Sequence, residues 1–175
     1  MPSYVAFLRA INLGRNRAFP MADVRACLER AGFRDVETYI QTGNVRVGTS
    51  MRSVDRVAAA LEEVFEADRG FAVPTVVLTP AELTAVHRDA RALELLPDAA
   101  DARRYVTFLK QEPDPEAAAE LAAWDVEGER AAVRGRALHW WLAKPTVAAR
   151  LSNAAIERRL GPATTRDLKV VTTLA

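Results

Sequence analysis

Apolar positions come in short blocks separated by polar, glycine-bearing breaks, and the spacing within each block predicts its element. Tyr4 to Arg9 is apolar, with aromatic and β-branched types, and runs into a polar loop, which predicts a buried strand. Met21, Val24, Leu28 and Ala31 then recur at helical spacing and stop at Gly32, with Cys27 beside the stripe. Val36 to Gln41 and Val45 to Val47 flank Thr42-Gly43-Asn44 and predict a hairpin in which Gly43 supplies a positive φ. Val54, Val57, Ala58, Leu61, Val64 and Phe65 predict a helix ending near Gly70, and Thr75 to Leu78 a further strand. Thr79-Pro80-Ala81-Glu82 opens another helix with a capping Thr, a first-turn Pro and a Glu three residues after the cap.

The second half repeats much of this order. Tyr105 to Leu109 predicts a strand, and Asp114-Pro115-Glu116 starts an Ala-rich helix ending near Ala123. Two strands, Glu129–Arg134 and Ala137–Leu142, flank the Gly135 turn, and a helix from about Ser152 to Leu160 stops at Gly161-Pro162. The tail reads both ways: Thr164 or Thr165 can cap a helix, while Val170-Val171-Thr172-Thr173 favours a strand. Strand, helix, strand, strand, helix, strand is the ferredoxin-like arrangement. The expected architecture is therefore α+β, with two ferredoxin-like βαββαβ-type halves packed in one chain. Residues 1–102 form the first half with an extra helix, and 103–175 form a βαββα half with a C-terminal segment.

Composition narrows the class without naming a task. In 175 residues no apolar run approaches the ~20 needed to span a membrane. The opening Met1-Pro2-Ser3-Tyr4 does not read as an export signal, and the single Cys27 excludes a disulfide framework, so a reducing cytoplasm is expected. The 24 basic and 23 acidic groups nearly cancel, yet unevenly: residues 1–50 carry 7 basic and 4 acidic, and 130–175 carry 9 and 2. The middle is acidic, and such a layout fits either an anionic partner or a self-pairing solvated surface.

Two basic segments are the candidate sites. Arg9, Asn12, Gly14, Arg15 and Arg17 sit where the first strand gives way to a helix, and arginine forks with backbone N–H groups there can hold phosphate or carboxylate. The Gly-x-x-x-x-Gly-Lys-[Ser/Thr] loop of NTPases is absent. Thr165, Arg166 and Lys169, read with Thr164 as a helix start, form the second candidate. Gln41 and Asn44 beside the hairpin turn are further polar contacts, although the turn itself demands Gly and Asn.

Other chemistry is sparse. Alternation places Leu138, Trp140 and Leu142 on one face of a strand and His139 and Trp141 on the other, so one Trp belongs in the core and the other at a cleft or interface. The third strand, Asn44 to Gly48, carries no aromatic residue, which disfavours a base-stacking RNA-binding sheet. His87 and His139 are too few and too scattered for a metal site, and no nucleophile elbow or acid–base pair is identifiable, so a reaction and a cofactor stay unassigned.

Several segments together resemble one bacterial family. They include Tyr4-Val5-Ala6-Phe7-Leu8-Arg9-Ala10-Ile11-Asn12-Leu13-Gly14, Tyr39-Ile40-Gln41-Thr42-Gly43-Asn44-Val45, Tyr105-Val106-Thr107-Phe108-Leu109, Leu151-Ser152-Asn153-Ala154-Ala155-Ile156-Glu157 and Pro162-Ala163-Thr164-Thr165-Arg166. In this order and spacing the chain is similar to the family known as domain of unknown function 1697. The resemblance implies an α/β protein of two ferredoxin-like halves, a helical tail and no settled activity. The chain departs from the family pattern where Arg15 follows Gly14 in place of a second glycine. It departs again where Asp167-Leu168-Lys169 replaces Asn-Trp-Asn, so a role for that Trp does not transfer. The working expectation is binding of an anionic small molecule, such as a nucleotide or phosphorylated metabolite. The rivals are a nucleic-acid-binding module that uses the basic ends and a structural or protein-interaction protein.

Overall fold

The computed structural model describes residues 1–14 and 16–175; Arg15, one of the candidate arginines, lies outside the described residues. The chain divides into two compact units, Met1–Glu82 and Leu83–Ala175. The first contains β1 (Ser3–Leu8), α1 (Met21–Arg30), β2 (Arg34–Tyr39), β3 (Asn44–Gly48), α2 (Val54–Arg69) and β4 (Thr75–Leu78). Its four strands form an antiparallel sheet in the order β2-β3-β1-β4. α3 (Pro80–Ala92) follows. The second unit adds β5 (Arg103–Leu109), α4 (Pro115–Ala122), β6 (Glu129–Arg134), β7 (Ala137–Leu142), α5 (Asn153–Leu160), β8 (Ala163–Asp167) and α6 (Leu168–Leu174). Its sheet is also antiparallel, in the order β6-β7-β5-β8.

Local chemistry explains the element ends. Thr79 and Glu82 form a reciprocal cap on α3: the Thr79 N–H donates to Glu82 Oε2 at 2.7 Å, and the Glu82 N–H to Thr79 Oγ1 at 3.2 Å. Ser53, Asp114 and Ser152 accept from backbone N–H groups in the first turns of α2, α4 and α5. In the first unit Ala6, Leu8, Val45 and Val47 of the sheet pack with Leu28, Leu61 and Phe65 of the helices. In the second, Leu138, Trp140 and Leu142 of β7 pack with Leu121 of α4 and Ile156 of α5, and Tyr105 stacks on Trp140 with centroids 4.6 Å apart. The alternation read along β7 therefore assigns its two faces correctly, whereas Trp141, expected at a cleft or interface, is buried because its face of the sheet is covered as well.

The tail corrects two expectations. Thr164, Thr165 and Arg166 do not start a helix; they lie in β8, paired with β5. The helix begins at Leu168, and Asp167 caps it by accepting from the Lys169 N–H at 2.8 Å. Val170 to Thr173 is helical despite its strand propensity. The hydroxyls of Thr172 and Thr173 bond back to the carbonyls of Leu168 and Lys169, four residues earlier, which accommodates β-branched residues in a helix.

Candidate functional site

The loop after β1 is built largely from its own polar side chains. Asn12, at φ +55°, donates from Nδ2 to the carbonyls of Phe19 and Gln41 at 3.0 and 2.8 Å, and its Oδ1 accepts from the Phe19 N–H. One amide thus ties the β1–α1 loop to the β2–β3 turn. Arg17 donates to the carbonyls of Ala10 and Ala72, and its guanidinium lies 4.6 Å from the Phe71 ring centre. Asn44 is buried and donates to Tyr39 O and Thr42 Oγ1. The Arg9 N–H donates to Pro74 O. Gly43 takes φ +79°, and a Cβ there would stand 2.8 Å from Leu8 Cβ and 2.9 Å from Ile11 Cδ1. Ala10 and Ile40 also hold positive φ, at 54° and 48°, so left-handed backbone gathers at this end of the sheet. Asn12, Arg17 and Asn44 shape the loop with bonds that an incoming ligand would have to break.

In the second unit Thr165 belongs to a hydrogen-bonded chain. Its hydroxyl donates to Asn153 Oδ1 at 2.7 Å. A hydroxyl has one proton, so the 2.7 Å contact between Thr107 and Thr165 is donated by Thr107. Trp140 Nε1 in turn donates to Thr107 at 2.9 Å, and Asn153 Nδ2 donates to Glu157 at 3.1 Å. Arg166 is buried on the opposite sheet face, where its guanidinium donates to Thr164 Oγ1 and Thr165 O. Burial pushes its pKa down to about 10, still leaving the group cationic at neutral pH.

That opposite face also carries His139 and Trp141. His139 is 1 % exposed, and neither ring nitrogen has a hydrogen-bond partner. Burial pushes its pKa down to about 4, with Asp89 opposing and Arg134 adding to the shift, so it is a neutral imidazole at physiological pH. Because His139, Trp140 and Trp141 are all buried, none presents a ring to a nucleic acid. Cys27 is equally enclosed: burial, reinforced by Asp68, pushes its thiol up to about 11, and it donates to Val24 O rather than acting as a thiolate. Among the described residues no three His, Cys, Asp or Glu are arranged to hold a metal ion, and no helix is long and apolar enough to cross a membrane.

Glu129 is the buried charge that sequence reasoning missed. It is fully enclosed, and its oxygens accept from the N–H groups of Arg150 and Leu151 at 2.8 Å, from Trp124 Nε1 at 3.1 Å and from Lys144 Nζ at 3.1 Å. Burial works to raise its pKa, but these donors outweigh it and hold the carboxyl below its ordinary range. With both oxygens used twice, Glu129 anchors the 144–151 segment and has no lone pair left for proton transfer.

Among the described residues, an arrangement suited to a ligand lies at the start of β5 and α6. A cleft of about 650 Å³ is lined by Asp101, Arg103, Arg104, Asp167, Lys169 and Thr172, together with the aliphatic Ala100, Ala102 and Leu168. Arg103 is steadied by donation to Thr146 Oγ1 at 2.8 Å. Arg104 packs on Trp141, with its guanidinium carbon 3.9 Å from the ring centre. Of the residues expected from sequence, the cleft contains Lys169. Arg103 and Arg104 were legible only as two consecutive arginines at the head of a strand, a signal with nothing beside it in the sequence to mark it. Only the register of β5 with β7, which sets Arg104 opposite Trp141, gives it meaning.

Known proteins bear on the fold. The family model described as "Protein of unknown function (DUF1697)" matches residues 1–139. Among solved structures, the conserved bacterial protein SP0830 from Streptococcus pneumoniae superimposes with a TM-score of 0.69 at 21 % sequence identity, covering 99 % of this chain and 96 % of that one. At that identity the likeness speaks for a shared α/β fold. No curated protein matches the chain.

Proposed function

The chain belongs to the DUF1697 family of proteins of unknown function, and from that premise we propose that it binds a phosphate-bearing small molecule in the cleft formed by β5 and α6. The observation that carries this reading is that Arg103, Arg104 and Lys169 all line one cavity of about 650 Å³. That volume lies within the ~300–1,000 Å³ usual for small-molecule sites. Two of the three cations are held in place, Arg103 by Thr146 and Arg104 by Trp141. Such pre-positioning lowers the entropy lost when an anion is gripped. Asp101 and Asp167 keep the cleft close to neutral, which favours a ligand with one anionic end over a long polyanion. We also read each unit as ferredoxin-like, because both present the same βαββαβ connectivity and the same strand order.

Thermal melting with a panel of phosphorylated metabolites tests the proposal, since a ligand that binds the native state raises the melting temperature. A rise that disappears in the Arg103→Ala/Lys169→Ala double variant is the expected result. If no phosphorylated compound shifts the wild-type melt, or if the double variant responds equally, the cleft is not an anion site.

A further inference from the structure

Arg104 distinguishes this cleft from a patch of positive charge. It sits directly across from Trp141 in the β5–β7 pairing, and its guanidinium rests on the buried indole at 3.9 Å. Arg104 is half-buried and is one of the residues lining the cleft. A planar cation seated on a ring in this way offers its outer side as a stacking surface, one of the platforms on which proteins lay nucleobases. The remaining groups divide by chemistry. Arg103 and Lys169 are donors suited to a phosphate, and Asp101 supplies acceptor oxygens for hydroxyls. Three cations and two carboxylates leave the lining at a net +1, which offsets part of the about −1.5 to −2 of one phosphate group and disfavours a polyphosphate.

Resting on the anion-binding reading above, we propose that the cleft takes a mononucleotide. The base lies on Arg104 and extends the Trp141–Arg104 stack, the phosphate meets Arg103 and Lys169, and the ribose hydroxyls face Asp101. A sugar phosphate without a base would leave the Arg104 surface unused.

The test is calorimetric titration of the full chain with adenosine monophosphate, ribose 5-phosphate, inorganic phosphate and adenosine. Adenosine monophosphate is expected to bind about tenfold or more tightly than ribose 5-phosphate, the gain that stacking one base provides. Arg104→Lys keeps the charge but loses the plane, so it removes that preference, with adenosine monophosphate losing more affinity than ribose 5-phosphate. Binding of the nucleotide also changes tryptophan emission in the wild type and not in Trp141→Phe, a readout that a merely structural role for Arg104 would not produce. Equal affinity for the two phosphates, or a preference that survives Arg104→Lys, overturns the nucleotide inference and leaves the anion reading standing. Failure of all four compounds to bind overturns both, as does adenosine binding that matches the monophosphate and ignores Arg103→Ala.

Discussion

Protonation of His139 sets how the protein responds to acid. The imidazole lies on β7 between Val106 of β5 and Ala132 of β6, fully enclosed and without a hydrogen-bond partner. Its folded pKa is about 4 against an ordinary value of 6.5. Between those limits the unfolded chain carries the proton and the folded chain does not. The unfolded state therefore binds more protons, and stability rises with pH across the window. Each pKa unit corresponds to ~1.4 kcal/mol, so the full effect is about 3 kcal/mol, and roughly 2.5 kcal/mol of it falls between pH ~7.5 and ~4.5. Urea unfolding followed by circular dichroism at both pH values measures this, with His139→Leu as the reference. The variant removes the titrating group and retains apolar bulk, so at neutral pH it is expected to be as stable as the wild type or more so. Its stability falls less on acidification, by about 2–3 kcal/mol. The other carboxylates titrate in both proteins and cancel in the comparison. If wild type and variant lose the same stability, burial does not hold His139 neutral and the reasoning is refuted.

Two further predictions concern packing and buried charge. Gly43→Ala is expected to destabilise by about 2–4 kcal/mol, because left-handed strain adds to a Cβ driven into Leu8 and Ile11. Gly70→Ala, at a similar φ of +75° in open space, should cost only ~1 kcal/mol; equal losses in thermal melts would show that the clash does not matter. Glu129→Gln places an N–H₂ group where only donors converge and should cost about 2–4 kcal/mol by urea unfolding. Because the Glu129 pKa is lowered on folding, its stabilisation is present at neutral pH and lost in acid. The Gln variant should accordingly show a shallower acid limb, and an unchanged limb would sink this account.

The local rules were readable wherever one short segment contained both signal and response. Thr79 to Glu82 announces its cap, and the two faces of β7 follow from alternation alone. Gly43 is marked as a turn residue by its neighbours, whereas its tight approach to Leu8 depends on β1 lying against β3. The tail misled because Thr164 and Thr165 are equally good helix caps and strand residues. Pairing with β5, which lies far away in sequence, decides between them. The cleft was opaque for the same reason. Lys169 was visible as a basic residue near a helix start, but Arg103 and Arg104 gain their meaning from Thr146 and Trp141, about forty residues on. Asn12 and Arg17 look like ligand donors in sequence, and only the folded loop reveals that backbone carbonyls already occupy them.

The chain from Trp140 through Thr107 and Thr165 to Asn153 has a direction, since every proton in it points the same way and the last donor ends on the Glu157 carboxylate. Its bond dipoles are therefore aligned toward a negative charge, and each polarises the next. The centre of the second sheet is thus tied to the flank of α5 by a polar thread whose segments cannot be reversed one at a time. Changing Glu157 weakens hydrogen bonds it never touches, and losses at Trp140 and Asn153 will not sum. The interior of this unit behaves electrically as one object, poled from sheet to helix.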